Sequence, residues 1–249
     1  MIDSHAHLQL LSDPKGAIKR AFEIGLKYIL CVATTSEDSR SVLEFSNFKG
    51  IFCSVGIHPL SKWDEKDLEI VENLSKEKSV IAIGETGLDF YRTSDPNEIH
   101  KQIELFRFHI ELSLRLQKTI IIHTRGVNSE YGSAFDVCLE MLKSSGVKKA
   151  VFHCFSWSEE ELRKAQSSDF FVSFSGMITY SKRVQKSLQV SDIEKTLVET
   201  DCPFLSPVKD KENEPAYIKL ISEKISELRK IDISELSSIF VRNFEKIFL

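Results

Sequence analysis

Met1-Ile2-Asp3-Ser4-His5-Ala6-His7 opens the chain, and its two histidines are the most informative feature of the sequence. Side chains at positions i and i+2 of a strand point to the same side, so His5 and His7 would lie next to each other where the first strand ends. Two buried imidazoles without a metal would need two sets of hydrogen-bond partners in one place. The pair therefore indicates a metal site, provided that further ligands occur at equivalent places along the chain.

Four later apolar runs end in the same way, in an imidazole or a carboxylate. The residues at or near these ends are Glu85, His123, His153 and Asp201, after runs that begin near 81, 119, 150 and 197. The runs are short and rich in β-branched residues, as expected of buried parallel strands. The chain has seven histidines, and a fifth one, His58, also closes an apolar run, so this placement is too regular to arise by chance.

Apolar runs alternate with amphipathic stretches along the chain. Strands are predicted near 1–5, 27–33, 51–57, 79–84, 119–123, 149–154, 170–175 and 196–200. Helices are predicted near 14–25, 37–48, 64–77, 96–117, 131–145, 158–167, 182–190, 215–229 and 233–247. This order predicts a single (β/α)₈ TIM barrel over residues 1–249 with additional C-terminal helices, and a doubly wound open sheet is the alternative. The ligand pattern favours the barrel, because only closure makes strands one and eight neighbours.

Composition narrows the class of protein. With 249 residues, 42% of them hydrophobic, the chain can build one large domain or two small ones, and no linker or low-complexity stretch divides it. Five cysteines without a Cys-x-x-Cys pair, no signal peptide and no membrane-length apolar run predict a cytoplasmic protein without a membrane partner or an evident obligate protein partner. The net charge of −4 gives no global basic signature for nucleic acid, so an anionic substrate must be attracted locally.

Four imidazoles and two carboxylates are too many ligands for one tetrahedral metal. They suit two divalent cations about 3.5–4 Å apart that share a carboxylate and a water. Imidazole-rich ligand sets favour Zn, Mn, Fe or Ni, with Mg less favoured but still open. Two such cations, two carboxylates and a hydroxide leave a net charge of about +1, which attracts a phosphate oxygen and supplies hydroxide near neutral pH.

Several motifs, in this order, resemble those of the TatD family of metal-dependent deoxyribonucleases, within an amidohydrolase-like superfamily. They are Asp3-Ser4-His5-Ala6-His7, Gly56-Ile57-His58-Pro59, Gly84-Glu85-Thr86-Gly87-Leu88-Asp89, His123-Thr124-Arg125, His153-Cys154-Phe155-Ser156, Glu199-Thr200-Asp201-Cys202-Pro203-Phe204-Leu205 and Asn213-Glu214-Pro215-Ala216. The resemblance runs from residue 1 to the C-terminus. It implies a TIM barrel that hydrolyses DNA phosphodiester bonds, commonly as an exonuclease.

The resemblance also implies how the ligands are divided between two metals. His5, His7 and Asp201 would hold the first, while His123 and His153 would hold the second. Glu85 would bridge the two cations. Asp201 would also accept the proton of the attacking water, which makes Glu85 and Asp201 the expected catalytic residues.

Five residues near these motifs are candidates for holding DNA, expected as single strands or ends. Arg92 and Arg125 could hold phosphate, Tyr91 and Trp157 could stack on bases, and His58 could contact substrate. Phe90 and Phe155 are expected to pack loops instead. The chain departs from the family pattern in the predicted mouth loops, where a change affects substrate preference rather than metal chemistry. The departures are Gln9, Leu60, Gly126, Trp157 and the segment 207–213.

Two other functions stay open on the sequence. An amidohydrolase-like enzyme, including a deacylase of aminoacylated RNA, would use the same hydroxide and Lewis acids on an amide or ester carbonyl. A metal-stabilised binding module is the non-enzyme alternative, but a structural metal site is closed to water. Phosphate-binding arginines and stacking aromatics at the mouth would favour nucleic acid over a carbonyl substrate.

Overall fold

Eight parallel strands with helices between them form one sheet in chain order, curled into a nearly closed barrel. The computed structural model describes residues 1–249. The strands are β1 (Ile2–Ala6), β2 (Tyr28–Val32), β3 (Ile51–Val55), β4 (Val80–Asp89), β5 (Thr119–Arg125), β6 (Ala150–Phe152), β7 (Phe171–Phe174) and β8 (Thr196–Val198). The predicted (β/α)₈ barrel is confirmed, and the open-sheet alternative is wrong.

The seam between β1 and β8 closes the barrel just beyond the strand ends. The His7 N–H donates to the Cys202 carbonyl at 2.8 Å, and the Asp201 N–H donates to the His5 carbonyl at 2.9 Å. The buried Asp3 carboxylate accepts from the Thr200 N–H at 2.9 Å and also from the Thr200 hydroxyl. The seam therefore sets the first and last candidate ligands side by side.

Nine α-helices surround or follow the strands. They are α1 (Pro14–Glu23), α2 (Ser36–Ser41), α3 (Glu65–Leu74), α4 (Pro96–Leu116), α5 (Ala134–Ser144), α6 (Glu159–Ser167), α7 (Lys182–Val190), α8 (Ile218–Arg229) and α9 (Ile233–Phe248). Asp13 and Asp95 accept N–H bonds at the first turns of α1 and α4, as their Asp-Pro starts predict. None of the helices combines the length and apolar character needed to cross a membrane.

Three elements differ from their predicted bounds. The helix predicted over 37–48 is α2 followed by a 3-10 helix, Val42–Asn47. The helix predicted from 131 begins at Ala134, because 127–128 and 132–133 pair as a short hairpin. The fourth strand continues past Glu85 to Asp89, where it pairs with β5.

A single connected hydrophobic core runs through the molecule, from Ile2 in β1 to Phe248 in α9. The barrel strands are buried nearly throughout, and their continuous apolar runs match a parallel sheet covered by helices. In such barrels the loops at the carboxyl ends of the strands carry the active site. The polar residues at the ends of β1, β4, β5, β6 and β8 therefore lie where the active site of such a barrel is expected.

Candidate metal centre

Glu85 lies at the middle of the imidazole cluster, and its two oxygens face different histidines. Oε2 is 3.4 Å from His5 Nε2 and 3.7 Å from His7 Nε2. Oε1 is 3.1 Å from His123 Nδ1 and 2.9 Å from His153 Nε2. One carboxylate thus stands between two separate pairs of imidazole nitrogens, the arrangement that a bridging ligand requires.

Asp201 lies with the first imidazole pair. Its Oδ1 atom is 3.4 Å from His7 Nε2 and 3.9 Å from His5 Nε2. The residue is left-handed, with φ of 59°, a conformation that Asp tolerates better than most residues. This backbone geometry and the bond to the His5 carbonyl turn the Asp201 carboxylate towards strand β1.

The residues present fit divalent cations. Both ring nitrogens of His5 and of His153 are buried without a hydrogen-bond partner, and the two rings stack with centroids 4.0 Å apart. Buried polar atoms are rarely left unpaired, so these nitrogens suit a bound cation. Three groups have ligand atoms within 4.8 Å of one another: His5, His153 and Glu199; His5, His7 and Asp201; and His58, Glu85 and His123.

Neighbouring groups orient the imidazoles. His7 Nδ1 donates to the Val32 carbonyl at 2.8 Å, which leaves the Nε2 lone pair facing the centre. His123 Nε2 donates to Asp89 Oδ2 at 3.1 Å, because an ionised carboxylate only accepts, and Nδ1 then faces Glu85.

Glu199 lies behind His153. Its Oε1 is 3.5 Å from His153 Nδ1 and accepts from the Cys154 N–H at 2.6 Å, while Oε2 accepts from the Ser173 hydroxyl. The sequence analysis quoted Glu199 and Asp89 only within motifs and assigned neither of them a role at the site. The sequence did contain a signal for Asp89: it stands four positions after Glu85 in one strand, so the two side chains lie on the same face.

The surroundings of the two buried carboxylates in the cluster lower their pKa values. Burial alone would raise the pKa of Glu85, but the nearby His153 and His123 imidazoles hold it well below its usual range. Burial likewise opposes ionisation of Asp201, yet the neighbouring His7 imidazole lowers its pKa below the usual value. Both carboxylates are therefore anionic at neutral pH, as metal binding requires.

His58 differs from the other histidines of the cluster, because its ring nitrogen that faces the centre carries a proton. Its Nδ1 accepts the Leu60 N–H at 3.2 Å, and its Nε2 lies 3.6 Å from Glu85 Oε1. The hydrogen bond assigns the proton of the neutral ring to Nε2. Burial lowers the pKa of His58 to about 4, so the ring is neutral at pH 7. His58 therefore presents an N–H donor to the centre rather than a free lone pair.

A cavity of about 590 Å³ opens above the cluster. Of the residues predicted to bind substrate, His58 and Arg125 line it, whereas Arg92, Tyr91 and Trp157 do not. The Arg125 and Arg92 guanidiniums lie 4.3 Å and 5.8 Å from the centroid of the exposed Tyr91 ring. Trp157 is buried, and its indole N–H donates to Thr124 Oγ1 at 2.8 Å.

Phe90 and Phe155 are buried, as expected of loop packing. Phe204, which the sequence analysis quoted only within a motif, lines the cavity.

A larger groove of about 880 Å³ is lined by residues of α5, α6 and their flanking loops, but no histidine or cysteine lines it. The chemistry therefore concentrates in the smaller cavity.

Comparison with known proteins gives one family across the chain. The family model described as TatD related DNase matches residues 2–249. An uncharacterized metal-dependent hydrolase of Buchnera aphidicola is 34% identical, with 100% of this chain and 98% of that protein covered. The 3'-5' ssDNA/RNA exonuclease TatD of Erwinia tasmaniensis is 28% identical, with 96% and 95% covered. The crystal structure of the TatD homologue YjjV from Escherichia coli shares the fold, with a TM-score of 0.90, 23% identity and coverage of 100% and 97%.

Proposed function

The chain belongs to the TatD family of metal-dependent hydrolases, and from this premise we propose that it hydrolyses DNA phosphodiester bonds at a centre of two divalent cations. The observation that carries the proposal is the position of Glu85, whose two oxygens face two separate imidazole pairs. In this proposal His5, His7 and Asp201, whose ligand atoms lie close together, hold one cation. His123 and His153, which both lie close to Glu85 Oε1, hold the other. The donor set suits Zn, Mn, Fe or Ni best and leaves Mg open.

Cations held there would polarise a phosphoryl oxygen and lower the pKa of water. Side chains of the protein would accept the proton and hold the phosphate. Asp201, anionic at neutral pH, accepts the proton of the attacking water. His58 donates its Nε2–H to a phosphoryl oxygen, and Arg125 at the cavity wall pairs with phosphate.

The cavity supports a strand end as substrate. Its volume of about 590 Å³ falls in the usual range of small-ligand sites, about 300–1,000 Å³, which suits a terminal nucleotide better than a base-paired segment. A relative of 28% identity carries the name 3'-5' ssDNA/RNA exonuclease, which agrees with this choice. We therefore propose exonucleolytic cleavage of single-stranded DNA. We also propose that residues 1–249 act as one domain, in line with the single connected core.

A substrate panel tests the proposed function. Purified, metal-replete protein is assayed on end-labelled single- and double-stranded DNA and on a panel of carboxylic esters, beside Asp201→Asn. Asp95→Asn, the same change at an exposed helix N-cap, serves as the matched control. We expect stepwise shortening of single strands that Asp201→Asn abolishes and Asp95→Asn retains. Ester cleavage with intact DNA would instead assign an amidohydrolase-like or deacylase activity, and metal binding without turnover of either would leave a binding module.

A further inference from the structure

One phenylalanine is exposed next to the candidate metal centre. Of the chain's 17 phenylalanines, only Phe204 is an exposed residue, with 52% of its surface accessible. Its ring lies edge-to-face with His7, the centroids 5.9 Å apart, and it lines the cavity together with Leu10, Met177 and Leu205. An apolar surface thus adjoins the polar cluster inside one cavity.

The backbone around Phe204 is fixed, so its exposure is built into the fold. The Phe204 N–H donates to the Asp201 carbonyl at 2.9 Å, and the buried Asn213 side-chain amide donates to the carbonyls of Phe204 and Thr200. A Cβ atom on Gly176 would lie 2.1 Å from the Leu205 carbonyl oxygen, so only glycine permits this close approach. These contacts hold the ring at the cavity although exposure of apolar surface is unfavourable.

The other aromatic candidates are less available for stacking. The Tyr91 ring is outside the cavity lining, and the Arg125 guanidinium lies over it at 4.3 Å. Trp157 is buried, and its indole N–H is bonded to Thr124. Phe204 is therefore the aromatic ring of the cavity that a planar ligand group can reach.

We propose that Phe204 is the stacking platform for the nucleobase next to the phosphate that is cleaved, so that the site requires a base at this position. The inference rests on the proposed function and names a subsite of the same cavity. Because the Phe204 ring packs against His7, the platform lies beside the candidate first metal site. Because every nucleobase has a π-face, the platform accepts any base but discriminates against a sugar without one.

Single-stranded oligonucleotides that differ only in one terminal base test the proposal. One probe carries an abasic tetrahydrofuran residue at the 3′ end, and a second carries it at the 5′ end. A third probe has a base at every position. Their kcat/KM values are measured with the parent protein and with Phe204→Ala and Phe204→Tyr. Leu114→Ala, which removes an exposed apolar side chain of α4, is the control for an unrelated truncation.

We expect the parent to prefer the intact end over one abasic end about tenfold, which is the lower part of the range for stacking on one base. Phe204→Ala should reduce this preference to about one while it cleaves the abasic probe like the parent, and Phe204→Tyr should restore the preference. An unchanged preference in Phe204→Ala, or an equal loss on all probes, would overturn the proposal. The melting temperature of each variant establishes that the fold is retained.

Binding separates this inference from the proposed function. The same probes are bound to metal-loaded Asp201→Asn protein, with and without Phe204→Ala, and followed by fluorescence anisotropy. Base-dependent binding that disappears with Phe204→Ala supports the subsite even where the parent cleaves no DNA, in which case only the proposed function fails. Equal binding of intact and abasic probes refutes the subsite, whatever the cleavage assay shows.

Discussion

Replacement of Asp89 by Asn should weaken one of the two candidate metal sites and spare the other. Asp89 Oδ2 accepts from His123 Nε2 at 3.1 Å, while Oδ1 accepts from the N–H groups of Tyr91 and Arg92 at 3.0 Å each. Asparagine keeps the oxygen that the two N–H groups need and changes only the group that faces His123. An amide NH₂ cannot accept from Nε2–H, so His123 either loses its partner or turns its Nδ1 into a donor that no longer binds metal.

The expected size of the effect follows from the role of such partners. Loss of the group that orients a metal-binding imidazole typically lowers metal affinity about 10–100-fold, which corresponds to about 1.4–2.8 kcal/mol. Asp89 is buried, so solvent does not replace the lost acceptor. We expect this loss at the site of His123 and His153, with unchanged affinity at the site of His5 and His7.

Competition with a chromogenic chelator measures both affinities. Asp95→Asn, the same change at an exposed helix N-cap, is the matched control, because asparagine also caps helices. Activity of Asp89→Asn should return towards the parent value at excess metal. Parental affinity at both sites would refute the orienting role of Asp89, and equal weakening of both sites with a lower melting temperature would show general damage instead.

Four further predictions concern single residues. Glu85→Ala should lose bound metal and activity because the bridge is gone, and an active variant with two ions per chain by metal analysis would contradict this. Asp201→Asn should lower kcat about 100-fold or more, beyond any loss of affinity, and steady-state kinetics that show only a raised KM would make Asp201 a binding residue. His58→Ala should keep both metals by metal analysis but lower kcat, because the ring is assigned as a donor, and loss of metal would make it a ligand. His109 is buried, and burial lowers its pKa to about 4, so its neutral form is favoured in the folded state. Relative to His109→Gln, the protein should therefore lose up to about 3 kcal/mol of stability as the pH falls from 6.5 to about 4. Urea denaturation that shows no such relative loss would contradict this.

The barrel could be predicted because each strand is a short apolar run, and five of the eight runs end at or near a polar residue that could bind metal. Two helix starts were equally clear from Asp-Pro pairs at Asp13 and Asp95. The extension of the fourth strand beyond Glu85 was not, since Gly84 and Gly87 weaken strand propensity and only pairing with β5 keeps the segment extended. Local pattern also failed at 37–48, where the α-helix changes to a 3-10 helix at Val42.

For the candidate site, sequence supplied the groups and the structure supplied their partners. Strand-end placement was enough to single out the six proposed ligands, which the structure gathers around Glu85. The orientation of His123 by Asp89 depends on how two neighbouring strands align, which a single sequence does not reveal. The same holds for the aromatic residues, because packing buries Trp157 and leaves Phe204 exposed although both lie in loops.

Two cations held around Glu85 should be required for cleavage of DNA by this chain. The most direct measurement is a titration of metal-free protein with Mn²⁺, in which bound metal per chain and cleavage of end-labelled single-stranded DNA are followed in the same samples. Our account predicts that both curves reach their plateau at two ions per chain and that Glu85→Ala reaches neither. A plateau of activity at one ion, or two bound ions without any cleavage of DNA, would contradict it.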